Sequence, residues 1–278
     1  MKTRILTSLV AVCILVPVLI FSNTIVFPIA IAIVAAICVY EMTKCMGQRN
    51  LAVTIPLYAM ALTAPLLVRY TRLNIFATVA FIAIGSYLLY LFTLIVTSHG
   101  KLTFSDAVAT FGVCLYIIVA CTSITYIRDF AETGKYIYFL IFIGAWITDT
   151  FAYFTGVFFG KHKLIPDVSP KKTVEGSVGG TLFCALFFFG FGILIEFIDE
   201  GADANLVFLF IAGIVIAIIS QIGDLIMSVI KRHYGIKDYG KIFPGHGGML
   251  DRFDSILAVS LCLMAICMLA GLLNVQLL

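Results

Sequence analysis

Nine stretches of this sequence are long and apolar enough to cross a lipid bilayer, and they constrain what the chain can fold into. A crossing helix needs about 20 mostly apolar residues, with a range of roughly 17–25. The stretches are 5–21, 24–40, 51–68, 74–96, 106–127, 136–160, 177–198, 206–230 and 253–273. Composition agrees. The chain is 62% hydrophobic and 12% charged, about half the charged share of a soluble domain. The expected fold class is therefore all-α, a polytopic integral membrane helical bundle of about nine transmembrane helices. Lys2 and Arg4 before the first run also describe a signal peptide. No small-residue cleavage site follows, because Pro17 through Phe21 are bulky, so a retained helix is expected.

Charge distribution predicts the orientation. With the N-terminus inside, fourteen of the eighteen Lys and Arg fall on inner loops, and only Arg69, Arg72, Arg128 and Lys135 fall outside. Positive residues favour the cytoplasmic side, so the N-terminus is expected inside and the C-terminus outside. The net charge of +3 is in this context a topological signal, not a nucleic-acid one. The eight cysteines contain no C-x-x-C pair and read as small apolar filler.

Polar residues concentrate in the second half. Residues 1–135 are expected to form an anchoring transmembrane bundle. Residues 136–278 are expected to form the catalytic region, with two inner loops, 161–176 and 231–252, that hold nine of the fourteen inner cations. Trp146, Asp149, Tyr153, Gly156 and Gly160 recur at steps of three or four and share one helix face. An acid such as Asp149 in an apolar segment is costly and marks a candidate site. Its structural alternative is pairing with a Lys or Arg of a neighbouring helix. Gln221, Asp224, Ser228 and Lys231 form a second polar stripe. Asp224 and Lys231 stand about 10 Å apart along the axis, too far to pair, so another group is expected between them.

The loops suit anions. Glycines 245, 247 and 248 permit positive φ and close backbone approach to a ligand. They precede the last helix, whose N-terminus is expected to offer free N–H groups to an anion. Asp251 and Asp254 share a face there, with helix capping as the alternative reading of Asp251. Ser169-Pro170-Lys171-Lys172-Thr173, followed by Gly176, Gly179 and Gly180, reads as a phosphate cradle, although it is not a Walker A loop. Carboxylates suit Mg²⁺, which takes one or two of them and completes its shell with water and phosphate. Cations and N–H groups suit phosphates. The set predicts metal-assisted phosphoryl or nucleotidyl transfer at the inner membrane face.

The run Ser228-x-x-Lys231-Arg232-(four)-Lys237-Asp238-x-Gly240-x-x-Phe243-Pro244-x-His246-Gly247-Gly248-x-x-Asp251-Arg252-x-Asp254 resembles the signature of the phosphatidate cytidylyltransferases, or CDP-diacylglycerol synthases. No departure occurs within those 27 residues. The helix around Trp146 and Asp149, the Ser169–Thr173 loop and Gly223-Asp224 resemble further blocks of that family. The resemblance implies transfer of CMP from CTP to phosphatidic acid, with release of pyrophosphate, by a Mg²⁺-dependent membrane homodimer of phospholipid biosynthesis. It implies Asp224 and Asp251 as metal carboxylates and the Lys171/Lys172 loop as part of the nucleotide-phosphate site.

Asp254 is added as a third candidate metal ligand, and a second cation beside Mg²⁺ is left open. Lys231, Arg232 and Arg252 are assigned to phosphates of either substrate. His246 either positions a phosphate or is a hydrogen-bonded loop histidine. Ser169, Lys171, Lys172, Thr173, Ser228, Lys237, Gly247, Gly248 and Asp149 complete the candidate substrate contacts. The expected partners are CTP, phosphatidic acid, the bilayer and a second copy of the chain, with no nucleic acid. The expected location is a bacterial inner membrane with the site facing the cytoplasm. Two rival readings use the same residues: a CTP-dependent lipid-alcohol kinase, and a transporter built on Asp149 and Asp224.

Overall fold

The computed structural model describes residues 12–166, 168–245, 247–273 and 277–278. Residues 12–20 are helical (α1). Next come α2 (Val26–Cys45), α3 (Leu51–Tyr70), α4 (Leu73–Thr97), α5 (Phe104–Arg128), the short α6 (Gly134–Ile137) and α7 (Phe139–Phe159). A two-stranded hairpin, β1 (Lys163–Ile165) and β2 (Ser169–Thr173), leads into α8 (Val174–Ile198), α9 (Leu206–His233) and α10 (Leu250–Leu273). Among the described residues, eight spans are long and apolar enough to cross a membrane, with α6 and α7 together forming one of them. They coincide with the second to ninth predicted stretches. The first stretch, 5–21, lies partly outside the described residues.

The helices outrun their apolar stretches. α2 continues to Cys45 instead of stopping at 40, α9 continues to His233 instead of 230, and α10 begins at Leu250 instead of 253. An apolar run reports the thickness of the bilayer core, whereas caps and terminal charges end the helix. Lys231, Arg232 and His233 occupy the last turn of α9, where positive charge meets the negative end of the helix dipole. At the other ends, Asn50 caps α3 by accepting from Ala52 N, and Asn205 caps α9 by accepting from Phe208 N. Between α8 and α9, Asp199 accepts from Tyr136 Oη and Lys135 Nζ, which holds its carboxyl below the ordinary carboxylate range.

The chain forms two compact units. The first comprises residues up to Tyr126 with Ile236–Asp251, and the second comprises Ile127–Gly235 with Arg252–Leu278. In the first, α2 packs on α3, and buried Tyr87 of α4 donates to the Val53 carbonyl of α3 at 2.7 Å. In the second, α7 packs on α8 and α8 on α9, with glycines where backbones approach closely.

A Cβ added at Gly180 of α8 would lie 2.7 Å from the Thr148 carbonyl oxygen and 3.0 Å from Ala152 Cβ of α7. One at Gly190, further along α8, would meet nothing within 4 Å. Gly180→Ala is therefore expected to destabilise the protein by about 1–3 kcal/mol. Gly190→Ala should leave stability unchanged or raise it slightly, because Ala is the better helix former. Denaturation midpoints of the two variants in detergent check this; equal midpoints would refute the close-packing argument.

Candidate active site

Three carboxylates from three helices gather in the second unit: Asp149 of α7, Asp224 of α9 and Asp254 of α10. Asp224 is a charged neighbour of both Asp149 and Asp254. The approach of α9 to α10 depends on Gly223, where a Cβ would lie 2.5 Å from Ala258 Cβ and 3.1 Å from the Asp254 carbonyl oxygen. Glycine beside Asp224 thus lets the two helices close until their acids are neighbours. Ser255 Oγ donates to Asp149 Oδ2 at 3.3 Å. Lys172 and Arg252 are charged neighbours of Asp149, and Lys231 is one of Asp254.

Lys172 Nζ forms an ion pair with Asp224 Oδ2. It is a group of the kind expected beside Asp224, and it comes from the hairpin and not from α9. In that hairpin Lys163 pairs with Thr173 and Ile165 with Ser169, antiparallel. Successive residues on a strand point to opposite faces, so the two lysines separate: Lys172 is half-buried against Asp224, while Lys171 is exposed. The neighbouring Thr173 is buried, and its Oγ1 accepts from Gly176 N at 3.1 Å as the N-cap of α8. Glu175 fastens the hairpin to the helix by accepting from His162 N at 3.2 Å, with His162 Nδ1 at 2.7 Å from its Oε1. Gln221 ties α9 to α8 through the Ser177 carbonyl and Thr181 Oγ1. Ser169 and Ser228 are half-buried, and Arg232 and Arg252 are exposed.

In the first unit, the segment Ile236–Asp251 is organised by carboxylates. Asp251 is only 7% exposed. Its Oδ2 accepts from Tyr239 N at 2.8 Å and from Gly248 N at 2.9 Å. Both donors precede Asp251 in the chain, Gly248 by three residues and Tyr239 by twelve, so these bonds are a reach back from the first turn of α10 and not the forward reach of an N-cap. Gly247, at φ +88°, supplies the left-handed turn, and its carbonyl accepts from Phe243 N at 2.9 Å. Lys237 is exposed. His246 lies outside the described residues.

One expectation is corrected. At the N-terminus of α10 the N–H groups of Met249 and Leu250 are not free for an anion: they go to the Glu41 carboxylate, at 3.1 and 2.8 Å. Glu41 was invisible to sequence reasoning. It stands one residue beyond an apolar stretch, where a charge is ordinary.

The donors suit a hard cation. Among the described residues, no three His, Cys, Asp or Glu side chains form a ready-made metal cage. Asp224 and Asp254 are neighbouring carboxylates on α9 and α10, and one or two carboxylates are what Mg²⁺ usually takes from a protein, with the rest of its shell left to water and substrate phosphate. Cations lie beside these carboxylates, so the same surface meets the opposite need of phosphate groups.

The cytidylyltransferase family matches residues 2–270 of the chain. A protein of Staphylococcus haemolyticus named phosphatidate cytidylyltransferase is 34% identical over 266 residues, spanning 93% of this chain and 96% of that one. One of the same name from Staphylococcus aureus strain COL is 33% identical over 263 residues, with the same coverage. Another, from Staphylococcus saprophyticus, is 40% identical over 164 residues, 59% of this chain and 60% of its own length.

Proposed function

The chain belongs to the cytidylyltransferase family, and from that premise we propose that it moves CMP from CTP to phosphatidic acid, producing CDP-diacylglycerol and pyrophosphate for phospholipid biosynthesis. It is a nucleotidyltransferase and an integral membrane protein. The observation that carries the proposal is the meeting of Asp149, Asp224 and Asp254 with Lys172, because phosphate transfer needs carboxylates and cations at one place.

The family's transfer is metal-dependent, and we assign the metal as Mg²⁺. Asp224 would hold it with Asp254, the added third candidate, and the resemblance assigns Asp251, one turn before Asp254 on α10, to the metal as well. When bound, the ion neutralises phosphate charge and organises the phosphate oxygens. Lys172, already beside Asp224, meets a phosphate at the carboxylate cluster. Lys231 and Arg252 do so from the ends of α9 and α10, and Lys171, Arg232 and Lys237 add further positive charge. Ser169, Thr173 and Ser228 complete the contacts. Gly247 and Gly248 contribute by shaping the loop, since the Gly248 N–H is already bonded.

A phosphate monoester has a second pKa of about 6, so phosphatidic acid is already a nucleophile at neutral pH. Its phosphate oxygen forms a bond to the α-phosphorus of CTP as the bond to the bridging oxygen of the β-phosphate breaks, and pyrophosphate leaves with those electrons. No proton has to be removed. The protein's task is to hold two polyanions together, which is positioning and charge neutralisation.

The inner concentration of Lys and Arg supports a cytoplasm-facing site in a bacterial inner membrane, and the family resemblance supports a homodimer. Purified protein given phosphatidic acid, Mg²⁺ and CTP labelled at the α-phosphate should place label in the lipid, while γ-labelled CTP should place none. Label from the γ-position would identify a lipid kinase. Substrate flux into liposomes without CTP would identify a transporter. Either result overturns the proposal.

A further inference from the structure

We propose that Glu41 is a positioning residue for the signature loop, an internal carboxylate that fixes the loop and the start of α10 in one geometry. This inference rests on the transferase reading above for its kinetic consequences, though not for its structural ones.

Glu41 is 2% exposed. Its Oε1 accepts from Met249 N at 3.1 Å and its Oε2 from Leu250 N at 2.8 Å. Both oxygens are thus committed to backbone donors at the positive end of a helix, where an anion is favoured. Asp251 clamps the same segment through Tyr239 N and Gly248 N. Two carboxylates, one from each end of the sequence, therefore bind four N–H groups of one segment, those of Tyr239, Gly248, Met249 and Leu250.

The glycines follow from this arrangement. A Cβ on Gly240 or on Gly248 would run into the Glu41 carboxylate. Neither glycine has a positive φ, so conformational freedom does not explain them. Room for Glu41 does. Two fixed glycines of the signature are accordingly the imprint of an acid 199 and 207 residues away in sequence. Leu250 opens the helix that carries Asp251, Arg252 and Asp254, so a loosened cap moves the residues assigned to metal and phosphate. A displacement of about 1 Å at a reacting centre costs about 10²-fold in rate.

Glutamine tests the charge without changing the volume. A carboxylate presents only acceptors, while an amide presents one acceptor and a donor group, so Glu41→Gln sets a donor against one of the two N–H groups. The full chain in detergent or nanodiscs is to be compared as wild type, Glu41→Gln, Glu41→Ala, Gly248→Ala and the Glu41→Ala/Gly248→Ala double variant. Amide hydrogen exchange of residues 239–251 should accelerate about tenfold or more in both Glu41 variants, while α7 to α9 keep their protection. Turnover by Glu41→Gln should fall about 10²-fold, with KM for CTP changed less than threefold. Gly248→Ala should be severely impaired alone, yet add little to Glu41→Ala, because the clash is gone; such non-additivity is the signature of direct contact.

Unchanged exchange in residues 239–251, a wild-type kcat in Glu41→Gln, or additive losses in the double variant would each overturn the inference. If Glu41→Ala fails to fold, the isosteric Glu41→Gln decides alone. Should wild type not transfer CMP at all, the transferase reading fails, and exchange still decides the place of Glu41.

Discussion

Asp224→Asn is expected to lower metal-dependent CMP transfer by about 10³-fold, the upper end of what loss of one preorganised charged or polar group costs. Asp224 is central to the carboxylate cluster: it is a charged neighbour of both Asp149 and Asp254, and it pairs with Lys172. Asparagine keeps the shape and removes the charge. The close contacts of α9 with α10 at Gly223 do not involve the Asp224 side chain, so the variant should remain folded, with unchanged helicity and elution in detergent. Its residual activity should need more Mg²⁺ than wild type. Near-wild-type turnover at ordinary Mg²⁺ would remove Asp224 from the metal site.

The second large effect separates two roles of Asp251. One of its oxygens accepts two backbone N–H groups. An asparagine amide oxygen can take both of those bonds, but alanine can take neither. If Asp251 also serves the metal, Asp251→Asn should lose about 10²-fold in turnover while residues 239–251 keep their exchange protection. Asp251→Ala should lose both the activity and the protection, because buried N–H groups left unpaired cost about 1–3 kcal/mol each. Asparagine with wild-type turnover would make Asp251 a loop anchor only and leave the metal to Asp224 and Asp254.

The limits of the sequence show in particular residues. Lys171 and Lys172 look equivalent in sequence, and only a strand distinguishes them, because its period of two sends one to Asp224 and the other to solvent. Thr173 reads in sequence as a phosphate contact, and a second role that spacing does not show is that its hydroxyl caps α8. Asp224 announces itself as an acid in an apolar helix too far from Lys231 to pair, and this predicted a missing partner without naming it. Glu41 gave no signal, because an acid at the end of an apolar stretch is what any inner loop contains.

The eight crossing spans of the described residues needed nothing beyond the sequence: length and hydropathy suffice because the bilayer is the solvent, and the helix is the local answer to it. The signature was equally legible, since its chemistry is a matter of residue type and spacing. Which acid meets which cation was a different matter. Lys172 with Asp224, Ser255 with Asp149 and Glu41 with the start of α10 join residues 52, 106 and more than 200 positions apart. Such pairs depend on how helices pack and on where glycines let them approach, and neither is written in the hydropathy of any single segment.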